Sequence, residues 1–183
     1  MNIPNVLSLL RIFMVAPFLI AVIYRQFAFA LVLFVIAGLS DFFDGYLARR
    51  LGQKSVLGTF LDPLGDKLLT TVAFISLSLQ GLLPPWLAVT VVAKDLYIVL
   101  GAGILHFSGN LSVAIPSFWG KLSTLLQLVA VCAALSSALW TISHGLLAWL
   151  YVVSGVITII AFFHYIWCGI QVFSEAPVPD KDA

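Results

Sequence analysis

Residues 122–174 read LSTLLQLVAVCAALSSALWTISHGLLAWLYVVSGVITIIAFFHYIWCGIQVFS and contain no Asp, Glu, Lys or Arg. A membrane-spanning helix needs about 20 consecutive apolar residues, so this stretch has room for two. Its break lies at Ser143-His144-Gly145, where polar and turn-forming residues interrupt the apolar run. The stretch predicts two helices in a lipid bilayer.

Working outward, the whole chain has the same character, with 62% hydrophobic and 9% charged residues. Soluble domains carry about 25% charged residues, so a soluble globule is excluded. Charges and turn formers divide the remaining apolar sequence into further spans at residues 9–24, 27–50, about 60–82 and about 86–107, with the fifth span starting at Lys121. We therefore predict an all-α integral membrane protein with six transmembrane helices.

The basic residues predict an orientation. Membrane proteins retain Lys and Arg on the cytoplasmic side, and with six spans this rule places both termini in the cytoplasm. Residues 1–174 then form one transmembrane domain, and the Pro-containing, charged segment 175–183 is expected to be a disordered cytoplasmic tail. The N-terminus lacks a basic leader region, so we expect it to be uncleaved. The net charge of +1 gives no reason to expect a nucleic-acid partner.

Four aspartates in one short window call for a special explanation: Asp41, Asp44, Asp62 and Asp66. Each carboxylate inside a membrane helix costs roughly 2.5–3.5 kcal/mol on insertion scales. Compensation must come from a bound cation, a water-filled cavity or structural salt bridges. The nearby basic residues are too few to make salt bridges the preferred explanation.

The spacing of these residues fits two helices. Asp41, Asp44, Gly45 and Ala48 fall on one face of the predicted second helix, with Arg49 at its edge. The small residues leave space for a ligand, and arginine can bind phosphate through two parallel hydrogen bonds.

On the predicted third helix, Asp62 and Asp66 share a face because they are four residues apart. Pro63 suits the first turn of a helix that Asp62 caps, and Gly58 permits a tight turn before it. Two helices with two carboxylates each can hold Mg²⁺ or Mn²⁺, and the absence of His and Cys from residues 41–66 argues against zinc. Two such ions can bind a diphosphate and support displacement at phosphorus.

This window also matches a known signature, D-x2-D-G-x2-A-R-x8-G-x3-D-x3-D, at every fixed position. The chain thus resembles the CDP-alcohol phosphatidyltransferase family, and its six-span pattern is similar to that family over nearly the whole chain. The resemblance implies a membrane enzyme that transfers a phosphatidyl group from CDP-diacylglycerol to an alcohol and releases CMP. It also implies a homodimer in the bacterial-type inner membrane, with its active site at the cytoplasmic face.

The same resemblance implies roles for individual residues. The four aspartates would hold two divalent cations, Mg²⁺ or Mn²⁺, and Asp66 would also remove the proton from the acceptor hydroxyl. The segment from Asn5 to Arg11 resembles a short interfacial helix that precedes the first span and borders the nucleotide. The nucleotide and diphosphate site would be lined by Asn5, Gly45, Ala48, Arg49 and Gly58.

The acceptor alcohol is the finer question. Lys94-Asp95 and Lys121-x-x-Thr124-x-x-Gln127 resemble segments of eukaryotic-type cardiolipin synthases, although Lys94 replaces a usual arginine. The few basic residues after the signature suit phosphatidylglycerol better than a phosphate monoester. We favour phosphatidylglycerol, giving cardiolipin, over glycerol 3-phosphate, giving phosphatidylglycerophosphate. Candidate acceptor-binding residues are Arg11, Lys94, Asp95 and Lys121.

Two other classes of membrane protein also place carboxylates in their helices. An ion-coupled carrier would distribute ionisable residues through the membrane depth, whereas these aspartates lie in one window. An intramembrane prenyltransferase also binds a diphosphate through aspartates, but it needs more spans and lacks the Gly-x-x-Ala-Arg insert.

Overall fold

The computed structural model describes residues 3–51, 56–107 and 117–174, with the side chains of residues 10–40, 67–101 and 117–171. The described residues are all-helical, with six α-helices and no β-strand. In chain order, the helices are α1 (Ile3–Ile23), α2 (Phe27–Leu51), α3 (Val56–Leu79), α4 (Pro85–Phe107), α5 (Phe118–Ser137) and α6 (His144–Ser174).

Short connections and side-chain contacts show that neighbouring helices run antiparallel. Lys67 near the middle of α3 reaches Asp95 near the middle of α4. Ser123 near the start of α5 contacts Thr158 in α6, while Tyr151 at the start of α6 donates a hydrogen bond to the carbonyl oxygen of Leu82. In the packing, α1 lies against α2 and α3, and α6 lies against α4 and α5.

Three predicted helix starts are wrong. The separate N-terminal interfacial helix is not observed, because α1 continues without a break from Ile3 to Ile23. Helix α3 begins at Val56, so Gly58 is not a breaker, and Asp62 and Pro63 lie inside the helix rather than at its cap. Proline is tolerated inside membrane helices because neighbouring groups satisfy the freed backbone, and α1 also contains an internal Pro17.

The third difference concerns α5, which begins at Phe118 rather than at Lys121. Ser117 has extended backbone angles, and its Oγ accepts a hydrogen bond from the Gly120 N–H at 3.0 Å. This is the usual N-cap arrangement, which satisfies one of the donors left free at a helix start. The cap serine extends α5 by one turn beyond the prediction.

The described residues bury polar side chains and expose apolar ones. Leu79 is 83% exposed, Trp149 71% and Val89 68%, whereas Lys94, Asp95 and Gln127 are buried. Two helical segments, Phe118–Ser137 and His144–Gln171, are long and apolar enough to span a membrane in the part of the chain that the structure describes. An apolar exterior around polar interior groups is the arrangement expected in lipid.

Close contacts hold α6 in place along its length. Gly155 leaves room for the ring of Trp86 from α4, since a Cβ at this position would overlap the ring. Gly120 in α5 accommodates the hydroxyl of Tyr165 in the same way. Between them, the rings of Tyr97 and Phe162 meet edge to face with centroids 5.2 Å apart. Helix α6 therefore has a defined register against both α4 and α5.

Candidate functional site

Both aspartate pairs of the signature lie in helices. Asp41 and Asp44 belong to the last part of α2, and Asp62 and Asp66 to the first half of α3. Because only a short connection separates α2 from α3, both pairs lie toward the same end of the bundle. The predicted roles of these aspartates remain predictions, because their side chains lie outside the described residues. The same holds for the predicted nucleotide-binding residues Asn5, Gly45, Ala48, Arg49 and Gly58.

Immediately after Asp66, the structure shows a group of polar side chains contributed by four helices. We call it the buried polar cluster. It connects α3, α4, α5 and α6 around the carboxylate of Asp95. Its members are Lys67 of α3, Lys94 and Asp95 of α4, Ser123 and Gln127 of α5, and Thr158 of α6.

Two lysines share a single carboxylate oxygen in this cluster. Lys67 Nζ lies 3.0 Å and Lys94 Nζ 3.1 Å from Asp95 Oδ1. Lys94 is 1% exposed, Asp95 3% and Lys67 20%. Since burying an ion without a partner costs several kcal/mol, the three charges depend on one another for their stability.

The remaining cluster members form a directed chain of hydrogen bonds. Thr158 donates its only hydroxyl proton to the carbonyl oxygen of Ser154 at 2.7 Å. The 3.1 Å contact between Ser123 Oγ and Thr158 Oγ1 therefore has Ser123 as donor. Gln127 Nε2 donates to both hydroxyl oxygens, at 3.0 Å to Ser123 and 3.1 Å to Thr158. Lys94 donates into this chain at Ser123 Oγ and Gln127 Oε1.

The four predicted acceptor-binding residues have different positions. Lys94 and Asp95 are adjacent members of the buried polar cluster. Arg11 is buried in α1 with an exposed fraction of 2%. Lys121 is exposed in the first turn of α5, so the structure does not bring it into the cluster.

Sequence reasoning did not assign Lys67, Ser123 or Thr158 to a site. The available signals were the position of Lys67 directly after Asp66 and the four-residue spacing of Ser123 from Gln127. Thr158 and Ser154 show the same spacing in an otherwise apolar helix. A polar pair at this spacing on an apolar helix indicates an inward-facing polar stripe.

We predict that Gln127→Leu destabilises the protein by about 1–2 kcal/mol, because the three side-chain hydrogen bonds of Gln127, two donated and one accepted, are lost in a membrane setting. The measurement is thermal unfolding of the purified protein in detergent. Gln26→Leu is the matched control, since Gln26 is exposed between α1 and α2. Equal unfolding temperatures for the two variants would show that Gln127 does not stabilise the cluster.

Among the residues with described side chains, no group of three or more His, Cys, Asp or Glu side chains can hold a metal ion. The described residues also line a cavity of about 710 Å³ between the α3–α4 and α5–α6 connections, which includes Trp86, His144 and Tyr151. It lies at the end of the bundle opposite to the aspartate pairs. The cavity is therefore separate from the signature and from the buried polar cluster.

Comparison with known proteins gives a family match over most of the chain. A family model described as CDP-alcohol phosphatidyltransferase matches residues 1–167. The matched range includes the complete signature and every member of the buried polar cluster.

Individual relatives carry two different names. A probable phosphatidylglycerophosphate synthase of Mycobacterium tuberculosis is 39% identical over 139 residues, covering 71% of this chain and 64% of the relative. A CDP-diacylglycerol–glycerol-3-phosphate 3-phosphatidyltransferase of Salmonella choleraesuis is 34% identical over 174 residues, covering 90% and 93%. The CMP-forming cardiolipin synthase of Homo sapiens is 30% identical over 161 residues, covering 79% and 54%. This chain thus spans less than two thirds of the first and third of these relatives.

Proposed function

The chain belongs to the CDP-alcohol phosphatidyltransferase family, and we propose that it transfers a phosphatidyl group from CDP-diacylglycerol to a glycerol-type alcohol. The observation that carries the proposal is the family match over residues 1–167, which contains all eight fixed positions of the signature at the required spacing. The relatives named above are phosphatidyltransferases or synthases of glycerophospholipids. The protein is therefore a membrane-bound transferase of phospholipid biosynthesis.

In the proposed reaction, the carboxylate of Asp66 accepts the proton of the acceptor hydroxyl. The freed oxygen attacks the β-phosphorus of CDP-diacylglycerol, and the bond from that phosphorus to the oxygen of CMP breaks. The products are the new phosphodiester and CMP. Positioned acid–base groups of this kind contribute about 10²–10⁴-fold to a reaction rate. Arg49 is proposed to bind the diphosphate, and Gly45 and Ala48 to leave space for it.

The donor set fits divalent cations. Four carboxylates on two helices at one end of the bundle provide the oxygen ligands that Mg²⁺ and Mn²⁺ prefer. Two bound cations would neutralise the charge of the diphosphate and make CMP a better leaving group. We propose Asp41, Asp44, Asp62 and Asp66 as their ligands.

For the acceptor, we propose phosphatidylglycerol, which makes the product cardiolipin. The contacts of Asp95 support this choice, because it binds both Lys67 and Lys94 and so neutralises part of the positive charge beside the site. A phosphate monoester needs several converging cations, whereas phosphatidylglycerol carries one diester charge. Glycerol 3-phosphate is the second candidate. It is favoured by the relatives with 39% and 34% identity, whose names refer to phosphatidylglycerophosphate and to glycerol 3-phosphate.

The proposal is tested by CMP release from purified protein in nanodiscs that contain CDP-diacylglycerol with Mg²⁺ or Mn²⁺. Phosphatidylglycerol, glycerol 3-phosphate, inositol phosphate and serine are offered separately. We expect CMP with phosphatidylglycerol, and release with glycerol 3-phosphate alone would identify the second candidate. Folded protein that releases no CMP with any acceptor would contradict the transferase proposal and return the aspartates to an ion-coupled carrier.

We further propose that all six helices span the membrane, with both termini and the aspartate pairs at the cytoplasmic face of a bacterial-type inner membrane. The exposed Arg25 and Trp140 lie in connections at the other end of the bundle, and exposed Trp86 lies at the start of α4 there. Tryptophan is enriched at membrane–water interfaces. Residues 1–174 form the membrane domain, residues 175–183 are its tail, and the protein acts as a homodimer.

A further inference from the structure

Asp95 is bound through only one of its two carboxylate oxygens. Oδ1 receives both lysines, Lys67 at 3.0 Å and Lys94 at 3.1 Å. Oδ2 is buried and has no hydrogen-bond partner among the described residues, and the residue as a whole is 3% exposed. The carboxylate therefore presents one unpaired acceptor oxygen inside the bundle.

A buried carboxylate oxygen without a donor is unfavourable, and almost all buried polar atoms in proteins are paired. No described side chain supplies the missing donor, so a bound molecule can supply it. A carboxylate oxygen accepts hydrogen bonds from hydroxyl or N–H groups and repels phosphate oxygens. The chemistry at Oδ2 therefore suits an uncharged hydroxyl group rather than the phosphate of a substrate.

The position of Asp95 connects this oxygen to the proposed reaction. Its partner Lys67 directly follows Asp66, the proposed base, in α3. On its other side, Lys94 is held by Ser123 and Gln127 of α5, so the carboxylate is supported from two further helices. A carboxylate supported in this way, whose partner Lys67 is adjacent in sequence to the proposed base, can orient a substrate hydroxyl accurately.

We propose that Asp95 Oδ2 accepts a hydrogen bond from the non-reacting hydroxyl of a glycerol-type acceptor, the one next to the hydroxyl that attacks phosphorus. This inference rests on the proposed function and applies to phosphatidylglycerol and to glycerol 3-phosphate, since both carry two neighbouring hydroxyl groups. The proton of this second hydroxyl stays on its oxygen throughout. Asp95 thus selects vicinal diols and aligns the attacking oxygen.

The test compares acceptors with and without the second hydroxyl in the nanodisc assay of CMP release. The pairs are phosphatidylglycerol against phosphatidyl-1,3-propanediol, and glycerol 3-phosphate against 3-hydroxypropyl phosphate. For the acceptor that supports CMP release, we expect the natural protein to use the diol with a kcat/KM about tenfold or more above that of its mono-alcohol analogue. Sites that bind a substrate hydroxyl show such a preference. Equal kcat/KM values for the diol and the mono-alcohol in the natural protein would overturn the proposal and leave a water molecule as the partner of Oδ2.

Asp95→Asn replaces one carboxylate oxygen with an NH₂ group, which cannot accept a hydrogen bond. We therefore expect the diol preference to fall to about threefold or less. Ser154→Ala is the matched control, because Ser154 Oγ is the other buried oxygen without a partner among the described side chains. We expect that variant to keep the full diol preference. An Asp95→Asn enzyme that retains it would also overturn the proposal. If this variant does not fold, the acceptor comparison with the natural sequence decides alone.

Failure of the inference differs from failure of the proposed function. If no acceptor supports CMP release, the transferase proposal itself is wrong. If diol and mono-alcohol acceptors release CMP equally well, the transferase stands and only the role of Asp95 is lost.

Discussion

Replacing Asp66 with asparagine is expected to reduce CMP release by about 10³-fold or more while CDP-diacylglycerol still binds within a few-fold of its normal affinity. The amide keeps the size of the side chain but cannot accept the proton of the acceptor hydroxyl. General bases contribute about 10²–10⁴-fold, and the loss of one cation ligand adds to this effect.

Turnover is measured as CMP release, and binding as equilibrium association of CDP-diacylglycerol with the same preparation in nanodiscs. Asp180→Asn provides the control, since Asp180 has the same side chain but lies in the tail outside the signature. If Asp66→Asn weakens binding by as large a factor as turnover, Asp66 is needed to hold the nucleotide lipid and the base assignment is wrong.

Asp41→Asn is expected to weaken the dependence on divalent cations and the binding of the nucleotide lipid together. Asp41 is proposed as a cation ligand, and a neutral amide oxygen is a weaker ligand for a hard cation than a carboxylate. We expect the Mg²⁺ or Mn²⁺ concentration for half-maximal activity to rise by about tenfold, which corresponds to about 1.4 kcal/mol in a binding equilibrium.

Cation titrations of CMP release and of CDP-diacylglycerol binding, made on the same variant, check this expectation. The Asp180→Asn protein should give the titration curves of the natural sequence. Unchanged curves for Asp41→Asn would remove Asp41 from the proposed ligands and leave three aspartates to hold the cations.

The signature aspartates and the buried polar cluster differ in how their charges are compensated in the membrane. The charges of the aspartate pairs are expected to be compensated by bound cations and substrate. Without these ligands, the carboxylates are energetically unfavourable in the membrane. In the buried polar cluster, the charge of Asp95 is compensated by the chain itself, because Lys67 and Lys94 both bind its Oδ1, while Oδ2 is proposed to bind a substrate hydroxyl. Ionisable residues at membrane depth are usually functional, and both groups of charges are proposed to contact substrate here.

Sequence patterns alone predicted a membrane protein and most of its helices. The uncharged run of residues 122–174 required a bilayer, and local signals located α2 and α4 to within one residue at each end. The signature was also visible, since it depends on residue types at fixed separations along two helices. The family match confirmed the resemblance that these residues predicted.

Some helix starts could not be predicted from local signals. Gly58 and Pro63 suggested a late start for α3, but the helix begins at Val56. Proline and glycine disfavour a helix interior, yet packing against other helices outweighs that preference in the folded protein. At Ser117 a local signal was present, because the cap serine and not the first charge marks the start of α5.

The packing of the helices against one another determines which polar residues meet. Lys67 and Asp95 are separated by 28 positions in the chain, and Ser123 and Thr158 by 35. Helical periodicity determines which residues share a face of one helix, but not which faces meet or at what height. The register of α3 against α4 brings Lys67 to the oxygen of Asp95 that the neighbouring Lys94 also binds, and the other oxygen has no donor among the described residues. That register depends on close packing such as Trp86 against Gly155, a contact between residues far apart in the sequence.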